Sequence, residues 1–171
     1  MNEFTQQIQK ANRLKEITQR IGFAVWQIQE LEGVSAQYFV LLTQAKKGMG
    51  ESAGNDLLKT PKKNTFGRTI QNIRKKGLLS LELERRFLNL LSERNWLVHK
   101  SRSESRDAVH SDTAMQRLIS RIDSMADESL ALLKEIGALS IAYVKEHGVN
   151  EEYVYKKAES LLNQWHSSEK I

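Results

Sequence analysis

The sequence predicts an all-α fold: a single domain over residues 1–171, built as an antiparallel bundle of about five helices, the first and fourth of them long. Three observations lead there. Apolar residues recur at steps of three and four along nearly the whole chain, the period of one helix face, and no stretch alternates as a half-buried strand does. Proline occurs once and glycine nine times, so helix breakers are few. With 171 residues and 40% hydrophobic content, the chain can bury a core without metal or disulfide staples.

The first helix is expected from Thr5 to Lys46. Its inner face reads Ile17, Ile21, Ala24, Ile28, Leu31, Ser35, Tyr38 and Leu42, with Gly33 as the interior point where it bends most readily. Residues 47–64 contain Gly48, Gly50, Gly54 and Pro61 and read as a mobile, basic loop. Phe66, Ile70 and Ile73 make a short second helix that Gly77 ends, and a third helix runs from Leu79 to Ser101. Ser101 to His110 is polar and breaks the period. Ser111 is an N-cap residue type, with Asp112 in the first turn, where the helix dipole favours an anion. The fourth helix carries Met115, Leu118, Ile122, Met125, Leu133, Ile136, Ile141 and Val144 and stops near Gly148. Asn150 caps a final helix whose inner face would be Val154, Ala158, Leu161 and Trp165. Trp26 and Trp165 are expected in the core, and Trp96 beneath a neighbouring helix rather than stacked on a base.

The absence of cysteine excludes a disulfide scaffold, a thiolate zinc site and a cysteine nucleophile, and fits a reducing compartment. No apolar run approaches the ~18–20 residues of a membrane span, and residues 1–10 lack a signal peptide's basic-then-apolar order. A soluble, cytoplasmic protein with no membrane partner is expected. The net charge of +5 is unevenly placed. Lys59, Lys62, Lys63, Arg68, Arg74, Lys75 and Lys76 stand together with no acidic residue among them, which leaves the rest of the chain at −2. Such a patch is the footprint of a polyanion partner, RNA above all, or else a solvated basic face. Residues 123–152 lean acidic.

Conventional catalytic signatures are missing. Gly48-Met-Gly-Glu-Ser-Ala53 follows a helix where a nucleotide fingerprint must follow a strand. His99, His110, His147 and His166 are too scattered for a helical metal pair, and the last three read as surface residues. The third helix stands apart. On a wheel centred on Leu90, Leu83, Phe87, Leu91, Leu97 and Val98 form one apolar stripe, and Arg94 falls at about 40°, in its middle. A guanidinium there needs an acidic partner from another helix, an interface, or a cleft with a function.

Glu93-Arg94-Asn95-Trp96-Leu97-Val98-His99 resembles the signature of the HEPN superfamily, helical proteins marked by arginine and histidine four to six residues apart late in a helix, with Asn, Asp or His commonly after the arginine. Arg94, Asn95 and His99 match it position by position. The resemblance implies metal-independent RNA cleavage without a cofactor. His99 would take the 2′-hydroxyl proton, Arg94 would hold the phosphate, and Asn95 would orient His99 or bind phosphate. On an ideal helix Arg94 and His99 lie about 140° apart, so one helix does not bring them together. The superfamily's habit of dimerising, with motifs from two subunits in one cleft, implies a two-fold homodimer with this helix near its axis. Lys100, Arg102 and Arg106 would track the RNA beside Lys62, Lys63, Arg68, Arg74, Lys75 and Lys76. Ser101 stands where toxins paired with nucleotidyltransferase antitoxins carry tyrosine, a departure that bears on regulation and not on Arg94 or His99.

The expected function is therefore an endoribonuclease, as the toxin of a toxin–antitoxin or phage-defence pair with a cognate antitoxin or regulatory partner. Two alternatives stand beside it. One is a non-catalytic HEPN-like module binding nucleic acid or protein; the other is a helical dimer in which Arg94 serves only as a buried ion pair.

Overall fold

The computed structural model describes residues 3–57 and 65–168, and every regular element among them is helical. The order is α1 (Glu3–Gln44), α2 (Glu51–Leu57), α3 (Phe66–Lys75), α4 (Leu81–His99), α5 (Ser101–Glu104), a 3₁₀ turn (Arg106–Val109), α6 (Asp112–Glu146) and α7 (Glu151–Ser168). No described helix is long and apolar enough to cross a membrane.

Local chemistry sets the boundaries. Ser80 and Ser111 cap α4 and α6, their hydroxyls accepting from the N–H groups of Leu83 and Ala114 at 3.2 and 3.3 Å. Thr65 does the same for α3, and the Asn150 side chain accepts from the Glu152 N–H at 2.9 Å ahead of α7. At the far end of α3, Gly77 takes φ +62°, a conformation glycine adopts without a Cβ penalty. Its N–H bonds the Arg74 carbonyl at 2.9 Å while the Leu78 N–H reaches Ile73, a Schellman ending.

α1 runs unbroken through Gly22 and Gly33. Its expected inner face is buried at Ile17, Ala24, Ile28, Leu31, Ser35 and Tyr38, with Ile21 and Leu42 half-buried against the same core. α6 contributes Met115, Leu118, Ile122, Met125 and Ile136, and α4 contributes Leu83, Phe87, Leu90 and Leu97. Phe87 meets Phe66 of α3 edge-on, with ring centroids 6.2 Å apart.

Ion pairs report the helix directions. Arg13 of α1 meets Asp112 at 2.6 Å, and two turns on Arg20 meets Asp123 at 3.2 Å. The two long helices thus advance together. α4 runs against α6, since Arg86 reaches Glu128 and Glu135 whereas the later Glu93 reaches the earlier Arg121. α3 runs against α4, with Gly67 beside Leu91 and Arg74 paired to Glu84. The wholly antiparallel order expected from the sequence fails at α1 and α6. Only two reversals, one into α4 and one into α6, separate α3 from α6, so α3 also runs with α1.

Other expectations need correction. Part of the loop at 47–64 is helical: Gly48 and Gly50, at φ +79° and +80°, turn the chain into α2, whose Leu57 shares a hollow with Val34, Tyr38 and Leu41 of α1. Residues 58–64, with Lys59, Lys62 and Lys63, lie outside the described residues. Trp26 is not core but 69% exposed, because it sits on the α1 face opposite Ile17 and Ala24. Trp165 is 67% exposed, and Ala158 and Leu161 are exposed as well, because no described residue of α7 is buried. Val98, at the edge of the α4 stripe, faces solvent.

Candidate anion-binding cleft around His99

α4 ends at His99 because Lys100 leaves the helical backbone at φ −126°, ψ −22°, while its N–H still bonds the Trp96 carbonyl at 2.8 Å. The following residues, read from sequence as a polar break, fold into α5 and the 3₁₀ turn. Ala108 is fully buried, and buried Ser101 donates its hydroxyl to the Leu97 carbonyl, so this segment is tied back onto the core. The path returns the chain to the side of α1 that faces the end of α4.

A cleft of about 900 Å³ lies there. Leu14, Ile17 and Ile21 of α1, with Val109 and Leu118, make an apolar floor. Lys10, His99, Arg102, Arg106 and His110, all exposed, supply the polar walls, and no carboxylate among the described residues lines it. Cations gathered over a low-dielectric floor focus a positive potential, which raises the local concentration of anions. Three of the hydroxyls are already committed: Thr18 donates to the carbonyls of Leu14 and Lys15, Ser101 to Leu97, and Ser103 to Lys100. The charged and imidazole groups, and the Ser105 hydroxyl, are left to act on a ligand.

The expected trio does not assemble within one chain. His99 lines the cleft, but Arg94 and Asn95 do not. Arg94 turns toward α1, with its Nε 3.4 Å from Glu32 Oε1 and its Nη1 donating to Asn95 Oδ1 at 3.4 Å. The two ion-pair side chains are 34% and 25% exposed, so the pair is half-buried. Burial pushes the Glu32 carboxyl above its ordinary range, against the pull of Arg94. Glu32 Oε1 makes no hydrogen bond among the described residues. An acidic partner from another helix is thus how this structure accommodates the arginine in the apolar stripe.

Of the residues expected to bind RNA, Arg102 and Arg106 join His99 in the cleft, and Lys100 lies exposed beside them. Arg68, Arg74, Lys75 and Lys76 lie on and just after α3, elsewhere on the molecule. Lys76 sits over the Phe39 ring, about 27 Å along α1 from Ile21 at the edge of the cleft. Arg74 is engaged by Glu84 at 2.6 Å. Among the described residues, the cations expected to lie side by side therefore fall in two patches.

Trp96 packs under a neighbour as expected. Its indole N–H donates to Glu104 Oε2 at 2.6 Å, and the Arg121 guanidinium lies 3.4 Å from its ring centroid, itself held by Glu93. Sequence reasoning missed Lys10 and His110. Lys10 was legible as part of a face, since Lys10, Leu14, Ile17 and Ile21 step by four, three and four. His110 was not, because the fold of residues 101–110 was needed to place it.

Among the described residues no group of three His, Asp or Glu side chains gathers to hold a metal ion. Comparison with protein-family models, with curated proteins and with solved structures returns no match.

Proposed function

We propose that the protein is a metal-independent endoribonuclease of HEPN type that acts at the cleft around His99, in the manner of toxin–antitoxin or phage-defence ribonucleases. One observation carries the reading: an exposed histidine in a cleft walled by Lys10, Arg102 and Arg106, with an apolar floor and no carboxylate among the described residues. His99 removes the proton of a ribose 2′-hydroxyl. Arg102 and Arg106 grip the phosphate and stabilise charge growing on its oxygens as the 2′-oxygen attacks. The apolar floor takes the face of a base. The products are a 2′,3′-cyclic phosphate and a 5′-hydroxyl. In a two-fold homodimer, Arg94 of one chain would be the group brought to the cleft of the other.

The experiment is cleavage of a mixed RNA substrate in EDTA by wild type and His99→Ala. Wild type should cut and leave cyclic-phosphate ends, and the variant should not, with its far-UV circular dichroism unchanged. Equal cutting by both rejects the reading. A second reading, a non-catalytic module that binds nucleic acid or protein, is favoured by the pairing of Arg94 with Glu32 on α1, which gives the arginine a structural role. It expects salt-dependent RNA binding without cleavage.

A further inference from the structure

We infer that His110 is the general acid of this reaction, the group that protonates the leaving 5′-oxygen; the inference rests on the ribonuclease reading above. Cleavage by 2′-oxygen attack needs two proton transfers, one at the nucleophile and one at the leaving group on the opposite side of phosphorus. A single histidine acting as base leaves the second transfer unassigned. The cleft contains one other group suited to it. Arginine keeps its proton in proteins, and lysine ordinarily parts with its own only in alkaline solution, whereas histidine exchanges a proton near neutrality. Thr18, Ser101 and Ser103 have their hydroxyls directed at helix carbonyls, and the Ser105 hydroxyl is, as an alcohol, far too weak an acid near neutrality.

The placement of His110 supports the role. It ends the 3₁₀ turn, its N–H bonding the Asp107 carbonyl at 2.9 Å, and directly precedes Ser111, the cap of α6. Its backbone is thus held on both sides while the ring stays exposed. Arg102 on α5 and Arg106 on the 3₁₀ turn stand in the chain between His99 and His110 and line the same cleft, where they would hold a phosphate. The step balances without a co-reactant. The 2′-hydroxyl proton passes to His99, the P–O2′ bond forms, the P–O5′ bond breaks, and the His110 proton goes to O5′. The two histidines finish with their protonation exchanged, and solvent restores them.

A change of leaving group separates this role from any other. RNA leaves as an alkoxide that needs a proton, whereas uridine 3′-(4-nitrophenyl phosphate) leaves as a nitrophenolate that does not. His110→Ala should lower kcat/KM on RNA by about 10²-fold or more and on the aryl ester by less than about tenfold. His110→Gln, which keeps the size and lacks a transferable proton, should behave alike. His99→Ala should lose both substrates. Equal losses on the two substrates, or no loss on RNA, would overturn the assignment of His110 while leaving His99 in place. Wild type inactive on both substrates would instead overturn the ribonuclease reading beneath it.

Discussion

Removing Arg94 should destabilise the fold, in proportion to how far Glu32 is ionised. At the observed 3.4 Å separation, Coulomb attraction is about 1 kcal/mol in water and about 5 kcal/mol at an effective dielectric constant of 20. Both side chains keep a quarter to a third of their exposure, so solvent screening draws the value toward the lower end. Glu32 Oε1 already lacks a hydrogen bond, so what Arg94→Ala removes is the nearby cation that offsets the half-buried charge. The net expectation is a loss of about 1–2 kcal/mol near pH 7, which for a chain of this size lowers Tm by about 2–8 °C. The sign with pH follows from the raised pKa of Glu32, whose dominant cause is burial. The folded state holds that proton more tightly than the unfolded state, so this group favours folding at low pH and loses that advantage as pH rises through its folded pKa. The cost of Arg94→Ala should accordingly be small near pH 4 and grow toward neutrality. In a Glu32→Gln background it should shrink to less than about 0.5 kcal/mol, because no buried charge is left to abandon. Urea unfolding of the four proteins of this cycle measures all three quantities. An Arg94→Ala cost that is the same in the Glu32→Gln background as in wild type would refute the electrostatic reasoning and assign the effect to packing.

Three further outcomes are expected. Lys10→Ala, Arg102→Ala and Arg106→Ala should each lower the slope of log affinity for single-stranded RNA against log salt by about 0.7 for each phosphate no longer neutralised, and Lys75→Ala on the distant α3 patch should not; unchanged slopes for the cleft variants would place RNA elsewhere. Asp112, whose carboxyl is held below its ordinary range by hydrogen bonding to Arg13, should stabilise the fold above about pH 4 and lose that contribution on acidification. The stability gap between wild type and Asp112→Asn should therefore close as acid denaturation is approached. Deleting residues 151–171 should move Tm by less than about 2 °C, since no described residue of α7 is buried; a drop well beyond that would show that α7 docks.

The periodic parts of the fold were legible because burial on a long helix follows position on the wheel. Ile17, Ala24, Ile28 and Leu31 were found this way, and the caps at Ser111 and Asn150 follow from short-range chemistry alone. Trp26 was assigned to the core by residue type, although its wheel position lies nearly opposite Ile17. Trp165 belongs to a helix that is amphipathic in sequence but has no buried residue among those described. α2 escaped notice because its seven residues follow Gly50, contain Gly54 and carry no period, and Leu57 comes to share a hollow with α1 only in the fold.

The candidate site shows the same division more sharply. Residues five apart on a helix diverge by about 140°, and the chain follows that geometry: Arg94 turns to Glu32 on α1, and His99 turns to the cleft. The cations that share a wall with His99 come from α1 and from the segment after α4, which sequence reading treated as an interruption. That segment lost its helical period because it bends twice within ten residues, and the bending returns Arg102, Arg106 and His110 to one side of the molecule. A motif counted along one helix registers the histidine and misses its surroundings, since a cleft walled by several elements has no spacing in sequence. If His99 is a base, its guanidinium partner within the same chain is therefore Arg102 or Arg106, and Arg94 enters the chemistry only from a second copy. Mixing Arg94→Ala with His99→Ala decides between these. A site shared across a dimer regains activity in the mixed dimers, each of which holds one intact pair, while a site complete within one chain shows only what Arg94→Ala retains by itself.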